Sequence, residues 1–276
     1  MTDPPSIHHV AVGDTRLAVH TAGGGRPLLL LHGFPLDHAM WIRQETLADN
    51  LRLVAPDQRG FGASTGPGPT SIEQLADDAA ALLAALRCGP AVVCGLSMGG
   101  YVAQHLAVRH PDRVAALVLA DTKLEADTPE ARAARVDLAA KVGRLGQRIV
   151  ADAMVPRLLA GSPAARAAVD RAKIEESLHD AILRQPVATI QAALGALGTR
   201  PDMTAAMRHV RVPTLLVVGD EDAITPPACM EAARKVMPHA RLLVVPRAGH
   251  MTPLESPDVF NREVRAFLAE LPAGPA

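Results

Sequence analysis

A serine, a histidine and a choice of carboxylates give this chain the means for nucleophilic chemistry. The serine is Ser97, within Gly95-Leu96-Ser97-Met98-Gly99-Gly100. A β-branched run, Val92-Val93, precedes it, and helix-spaced residues (Tyr101, Val102, His105, Leu106, Val108) follow. Strand, sharp turn and helix together hold such a serine out at the tip of the strand. Glycine at 95 and 99 removes Cβ atoms for which a tight turn has no room. The pattern Gly-x-Ser-x-Gly alone also describes an ordinary glycine-rich turn; the flanking strand and helix point to a nucleophile.

A serine hydroxyl is a weak nucleophile at neutral pH and needs a base that a third group orients. In doubly wound sheets, sites form beyond the carboxyl ends of the strands, which sorts the eleven histidines. His250 follows a strand at 241–245 and precedes the final helix, so it is the expected base. His105 and His110 lie on the helix after Ser97, away from its start, and Gly33 beside His32 marks a packed turn. Four acids qualify as the orienting group. Asp220, Glu221 and Asp222 follow a strand at 213–218, and Asp121 follows the strand before it. Spacing does not choose among them. An acyl-transfer oxyanion needs two preorganised donors. The N–H of Met98, at the helix start, is one, and that of Phe34 in His32-Gly33-Phe34-Pro35 is placed to be the other; Pro35 has no N–H to offer.

The elements that must position these groups alternate. The 276 residues are 49% hydrophobic, enough for one substantial core. Strands are predicted at 8–12 and 16–21 as a hairpin around Gly13-Asp14, at 27–31 and 51–55, from Val92 up to Ser97, and at 114–120, 213–219 and 241–245. Helices are predicted at 40–48, from Thr70/Ser71 to Arg87 behind overlapping capping boxes with Glu73 and Gln74, after Ser97, at 226–236 and at 257–271. Between 124 and 207 no strand is convincing, and helices are predicted at 129–144, 147–159, 163–183 and 186–197. Residues 272–276 read as a loose tail. Alternating strands and helices imply a mostly parallel sheet with helices on both faces.

Composition excludes other classes. The net charge is −1 with mixed signs, so no basic surface for nucleic acid is indicated. Cys88, Cys94 and Cys229 fit neither a disulfide framework nor a zinc site. The polar, proline-containing start does not read as a signal peptide, and no apolar run reaches the ~18 residues of a membrane helix. The expectation is a cytoplasmic protein with a small-molecule substrate, no cofactor and no metal. Aromatics are 2% of residues, so a pocket would be lined mainly by aliphatic side chains.

Taken together, His32-Gly33-Phe34-Pro35, Asp57-x-Arg59-Gly60-x-Gly62-x-Ser64, Gly95-x-Ser97-x-Gly99-Gly100, Gly219-x-x-Asp222 and Gly249-His250 resemble the α/β-hydrolase fold over nearly the whole chain. The order Ser, Asp, His is that of the family. The resemblance implies Asp222 as the acid, with Asp220 second, and a helical cap at 123–208 inserted between core segments 1–122 and 209–276. It implies that 57–64 is a structural loop; its Gly60-x-Gly62 lacks the third glycine and the helix of a dinucleotide site. Relatives that cleave epoxides or carbon–halogen bonds use aspartate where this chain has Ser97, and the Gly-Gly-Pro-Gly loop of proline iminopeptidases is absent. The resemblance therefore points to a serine carboxylesterase, enol-lactonase or perhydrolase-like enzyme. A ligand-binding signalling protein on the same fold is the non-enzymatic alternative. Met154, Leu158 and Leu159 could face a pocket under the cap, although apolar residues at that spacing more often pack on neighbouring helices. Trp41 and Tyr101 read as core.

Overall fold

Leucines 28–31 run without a polar residue because the strand that carries them is covered on both faces. The computed structural model describes residues 6–166 and 170–271. Its strands are β1 (Ser6–Val12), β2 (Thr15–Ala22), β3 (Arg26–Leu31), β4 (Leu51–Pro56), β5 (Ala91–Leu96), β6 (Val114–Ala120), β7 (Thr214–Gly219) and β8 (Arg241–Val245). They form one sheet in the order β1-β2-β4-β3-β5-β6-β7-β8. The hairpin β1–β2 is antiparallel, as is β2 to β4; every other pairing is parallel. The carboxyl ends of β3 to β8 therefore share one edge of the sheet.

The helices are α1 (Ile72–Ala85), α2 (Met98–Arg109), α3 (Pro129–Leu145), α4 (Arg148–Leu158), α5 (Pro163–Arg166), α6 (Arg171–Arg184), α7 (Val187–Thr199), α8 (Thr204–Met207), α9 (Pro227–Val236), α10 (Thr252–Glu255) and α11 (Pro257–Ala269). α1 starts as its capping residues require. Ser71 Oγ accepts from the Gln74 amide at 3.1 Å, and Gln74 Oε1 accepts from the Thr70 amide at 2.8 Å. It buries Ile72, Leu75, Ala76, Ala79, Leu82 and Leu83 on one face. α3 to α8 all lie between β6 and β7, where no strand is predicted. No helix among the described residues is long and apolar enough to cross a membrane.

Two predicted helices differ. Residues 40–48 belong to a 3-10 segment, His38–Asp49. Its buried residues Met40, Trp41, Gln44 and Leu47 recur every three to four positions, a spacing both helix types satisfy. The helix predicted at 163–183 is divided into α5 and α6, with Asp170 outside helical geometry at φ −72°, ψ 72°. Long-range bonds override local propensity there, since Arg171 donates to the Ala160 carbonyl just before α5. α8 and α10, four residues each, are too short to leave a periodic signal. The predicted loose tail, 272–276, lies outside the described residues, as does the start of the polar N-terminal stretch. The three cysteines are free, and burial pushes the Cys94 thiol far up, as suits a structural residue.

Candidate active site

Ser97 sits between β5 and α2 with φ 53° and ψ −112°, a left-handed conformation that costs a non-glycine residue roughly 1–3 kcal/mol. Its surroundings hold it there. The Ser97 amide donates to the Ala120 carbonyl at 3.0 Å, and its carbonyl accepts from the Tyr101 amide at 3.1 Å and from Thr122 Oγ1 at 2.9 Å. The flanking glycines are required by close approach. A Cβ on Gly95 would stand 2.1 Å from the Gly99 carbonyl oxygen, and one on Gly99 would stand 2.0 Å from that of Leu31. The start of α2 is thus pressed against the end of β3.

The acid loop separates its three carboxylates by partner. Exposed Asp220 accepts from the Ala248 amide at 3.3 Å. Glu221 turns to the segment before α5, accepting from the Gly161 and Ser162 amides at 3.0 and 2.8 Å and from Ser162 Oγ at 2.5 Å. Asp222 Oδ2 lies 2.9 Å from His250 Nδ1, and both residues are buried. Asp222 Oδ1 also accepts from the Ile224 and Thr225 amides at 2.8 and 3.0 Å, and Oδ2 from Thr225 Oγ1 at 2.8 Å. Burial alone would raise the Asp222 carboxyl; the bond to His250 and these amides outweigh it and hold the group below the usual range. An ionised Asp222 accepts Nδ1–H, which leaves Nε2 as the basic atom of His250. Among the described residues no hydrogen bond joins Ser97 Oγ to His250; such contacts are commonly long before substrate binds.

Asp121, the fourth acid, makes no hydrogen bond to His250. It is fully buried, with Oδ1 accepting from the Gly219 amide at 3.0 Å and Oδ2 from Thr252 Oγ1 at 2.6 Å. Burial, and then the charge of Asp222, push its carboxyl well above the ordinary range. Its position ties the loop of Asp222 to the residues just after His250.

The loop after β3 lies against the serine, since a Cβ on Gly33 would come within 3.6 Å of Ser97 Cβ. His32, fully buried, anchors that loop. Its Nδ1–H donates to the Gly33 carbonyl at 3.0 Å and its Nε2 accepts from the Gln58 amide at 2.9 Å. Burial lowers its pKa, in keeping with this neutral form. Among the described residues the Phe34 amide has no protein acceptor, and Met98, as the first residue of α2, has none within the helix.

The remaining sequence candidates are structural. Asp57 accepts from the amides of His38 and Ala63 and from His38 Nδ1 at 2.6 Å. Arg59 grips buried Asp78 through two bonds of 2.7 and 2.8 Å. Asp37, His38 and Asp57 could bring ligand atoms within 4.8 Å of one another. Their carboxylates already accept from protein donors: Asp37 caps Ala39 and receives Arg184 and Gln185, and Asp57 receives His38 and Ala63. His110 pairs with Asp77, and His105 is buried against the α1 side of α2. Trp41 and Tyr101 are buried in the core, as are Leu158 and Leu159, while Met154 is half-buried. Sequence reasoning did not single out Thr122, Thr225 or Glu255. Thr225 had a faint signal, standing three residues after an aspartate in a turn, where a hydroxyl can return to it.

Over residues 26–257 the sequence matches the α/β hydrolase fold family, and the chain belongs to that family. It is 32% identical over 253 residues to a pimeloyl-[acyl-carrier protein] methyl ester esterase of Nitrosomonas europaea, covering 88% of this chain and 95% of the relative. It is 29% identical over 248 residues to 3-oxoadipate enol-lactonase 2 of Acinetobacter baylyi, covering 88% and 89%. Among solved structures, a thermophilic esterase from Thermogutta terrifontis superposes with a TM-score of 0.90 at 38% identity, covering 96% of this chain and 98% of that one.

Proposed function

We propose that this protein hydrolyses a carboxylic ester or lactone through an acyl-enzyme, with Ser97, His250 and Asp222 as its catalytic triad. The observation that carries the reading is the buried 2.9 Å bond between Asp222 Oδ2 and His250 Nδ1, on the sheet edge where Ser97 holds its strained turn. Asp222 fixes the imidazole tautomer, so Nε2 takes the Ser97 proton as Oγ attacks the substrate carbonyl. The oxyanion that forms lies between the amides of Phe34 and Met98, each worth about 3 kcal/mol to the transition state. His250 then gives its proton to the departing alkoxide, which in a lactone stays tethered to the acyl group. Water, deprotonated by His250, attacks the acyl-enzyme and releases the acid and Ser97. Residues 123–208 form a cap over this edge, an assignment supported by the His250 amide, which donates to the Leu158 carbonyl at 2.9 Å. The esterase and lactonase names of the relatives favour the same bond class.

The test is hydrolysis of p-nitrophenyl esters of increasing acyl length by the wild type and by Ser97→Ala. Turnover that falls to background in the variant supports the nucleophile, and the length profile sizes the acyl pocket. A folded wild type inactive on every ester and lactone, or an active Ser97→Ala, refutes the reading. Peracid formation from acetate and peroxide in preference to hydrolysis would reassign the second step to peroxide.

A further inference from the structure

One buried ionisable group near this site has no part in the mechanism above. Glu255, in α10, is 6% exposed. Its Oε1 accepts from the Gly249 amide at 2.8 Å and the Met251 amide at 3.3 Å, the residues on either side of His250. Its Oε2 accepts from the Ala160 amide at 2.7 Å. The segment after α4 comes so close that a Cβ on Gly249 would meet the Ala160 nitrogen at 2.5 Å. The same segment holds the other catalytic loop, because Glu221, next to Asp222, accepts from the Gly161 and Ser162 amides. Residues 158–162 are therefore bonded to the loop of the base and to the loop of the acid.

We propose that Glu255 is a positioning residue for His250, and that through it residues 158–162 of the cap form a fixed strut of the catalytic frame. The proposal rests on the reading of His250 as the base. Any cap movement that admits substrate then occurs beyond this strut. The requirement is for a carboxylate. Three N–H donors converge on two acceptor oxygens, and glutamine keeps one oxygen while its NH2 group turns a donor toward a donor. In Glu255→Gln either Ala160 or the Gly249–Met251 pair loses its acceptor. The imidazole is then less well held, and a misplacement of about 1 Å costs roughly 100-fold in rate.

The experiment uses the whole protein and diethyl p-nitrophenyl phosphate, whose nitrophenol release both counts reactive serines and times their modification. Glu255→Gln is expected to lower the phosphorylation rate and the ester kcat per titrated site together, by roughly 100-fold, with KM little changed. A lower melting temperature with kcat per site within about two-fold of wild type would make Glu255 merely structural and overturn the proposal. So would a raised KM at constant kcat, which is a loss of uniform binding. Should Glu255→Gln fail to fold, Glu221→Ala decides. It releases the strut from the acid loop at a less buried position, and unchanged kcat per site there refutes the strut. A wild type inert toward both the phosphate and esters removes the hydrolase reading itself, an outcome distinct from an active wild type with an unaffected variant.

Discussion

Asp222→Asn is the substitution whose consequence the geometry fixes most closely. The asparagine carbonyl keeps the place of Oδ1, so the amides of Ile224 and Thr225 retain their acceptor. Its NH2 takes the place of Oδ2 and faces His250 Nδ1 at 2.9 Å. A donor there requires Nδ1 to accept, which puts the imidazole proton on Nε2, where it cannot receive the Ser97 proton. In serine proteases the wrong tautomer lowers kcat about 10⁴-fold, or about 5 kcal/mol at 1.36 kcal/mol per decade. One local feature offsets part of that loss. Thr225 Oγ1 is 3.3 Å from His250 Nδ1, and without the Asp222 carboxylate its hydroxyl can rotate to accept Nδ1–H. The expected loss is therefore about 10³-fold for Asp222→Asn and about 10⁴-fold once Thr225→Val is added. The assay is kcat/KM on the best short ester, with the rate of Ser97 phosphorylation as a measure independent of deacylation. An Asp222→Asn enzyme within about tenfold of wild type would show that another carboxylate orients the base. Asp121→Asn and Asp220→Asn would then be compared directly.

Two further outcomes are expected. Gly99→Ala gains about 1 kcal/mol in helix propensity, but its Cβ meets the Leu31 carbonyl oxygen at 2.0 Å. Backbone on both sides cannot yield cheaply, so a net loss of about 2 kcal/mol or more in urea unfolding is expected, with activity lost as α2 shifts; a stabilised variant would contradict the packing at this elbow. In the loop before α3, burial would raise the Asp127 carboxyl, but Arg135 and Arg200 outweigh it and hold the pKa at about 2 against an ordinary 3.8. A depressed folded pKa contributes stability that is complete above the unfolded value and lost as pH falls through the folded one. The melting-temperature gap between wild type and Asp127→Asn should therefore be widest above pH 4 and close toward pH 2; a gap independent of pH would remove the ion pairs from the account.

The residues readable in the sequence are those whose signal is local. Leu28 to Leu31 announce a strand covered on both faces, and Gly95 and Gly99 announce a turn that only glycine fits. The placement of His250 beyond a strand of the same parallel sheet is legible for the same reason. The helix predicted across 163–183 fails for the opposite reason: nothing in its alanine-rich sequence records that Arg171 donates to the Ala160 carbonyl. Spacing does not choose among Asp220, Glu221 and Asp222 because they are equivalent until the fold gives each a partner. Those partners are the Ala248 amide, the strut before α5 and His250, all distant in sequence. A slip of one residue in this loop would exchange the three roles. Gly219 prevents the slip. Its amide is held by buried Asp121, and a Cβ there would stand 2.2 Å from the carbonyl oxygens of both Ala248 and Gly249. The glycine of Gly219-x-x-Asp222 thus sets which carboxylate reaches His250 by letting two backbones touch, and the contact it permits lies in the loop that carries His250.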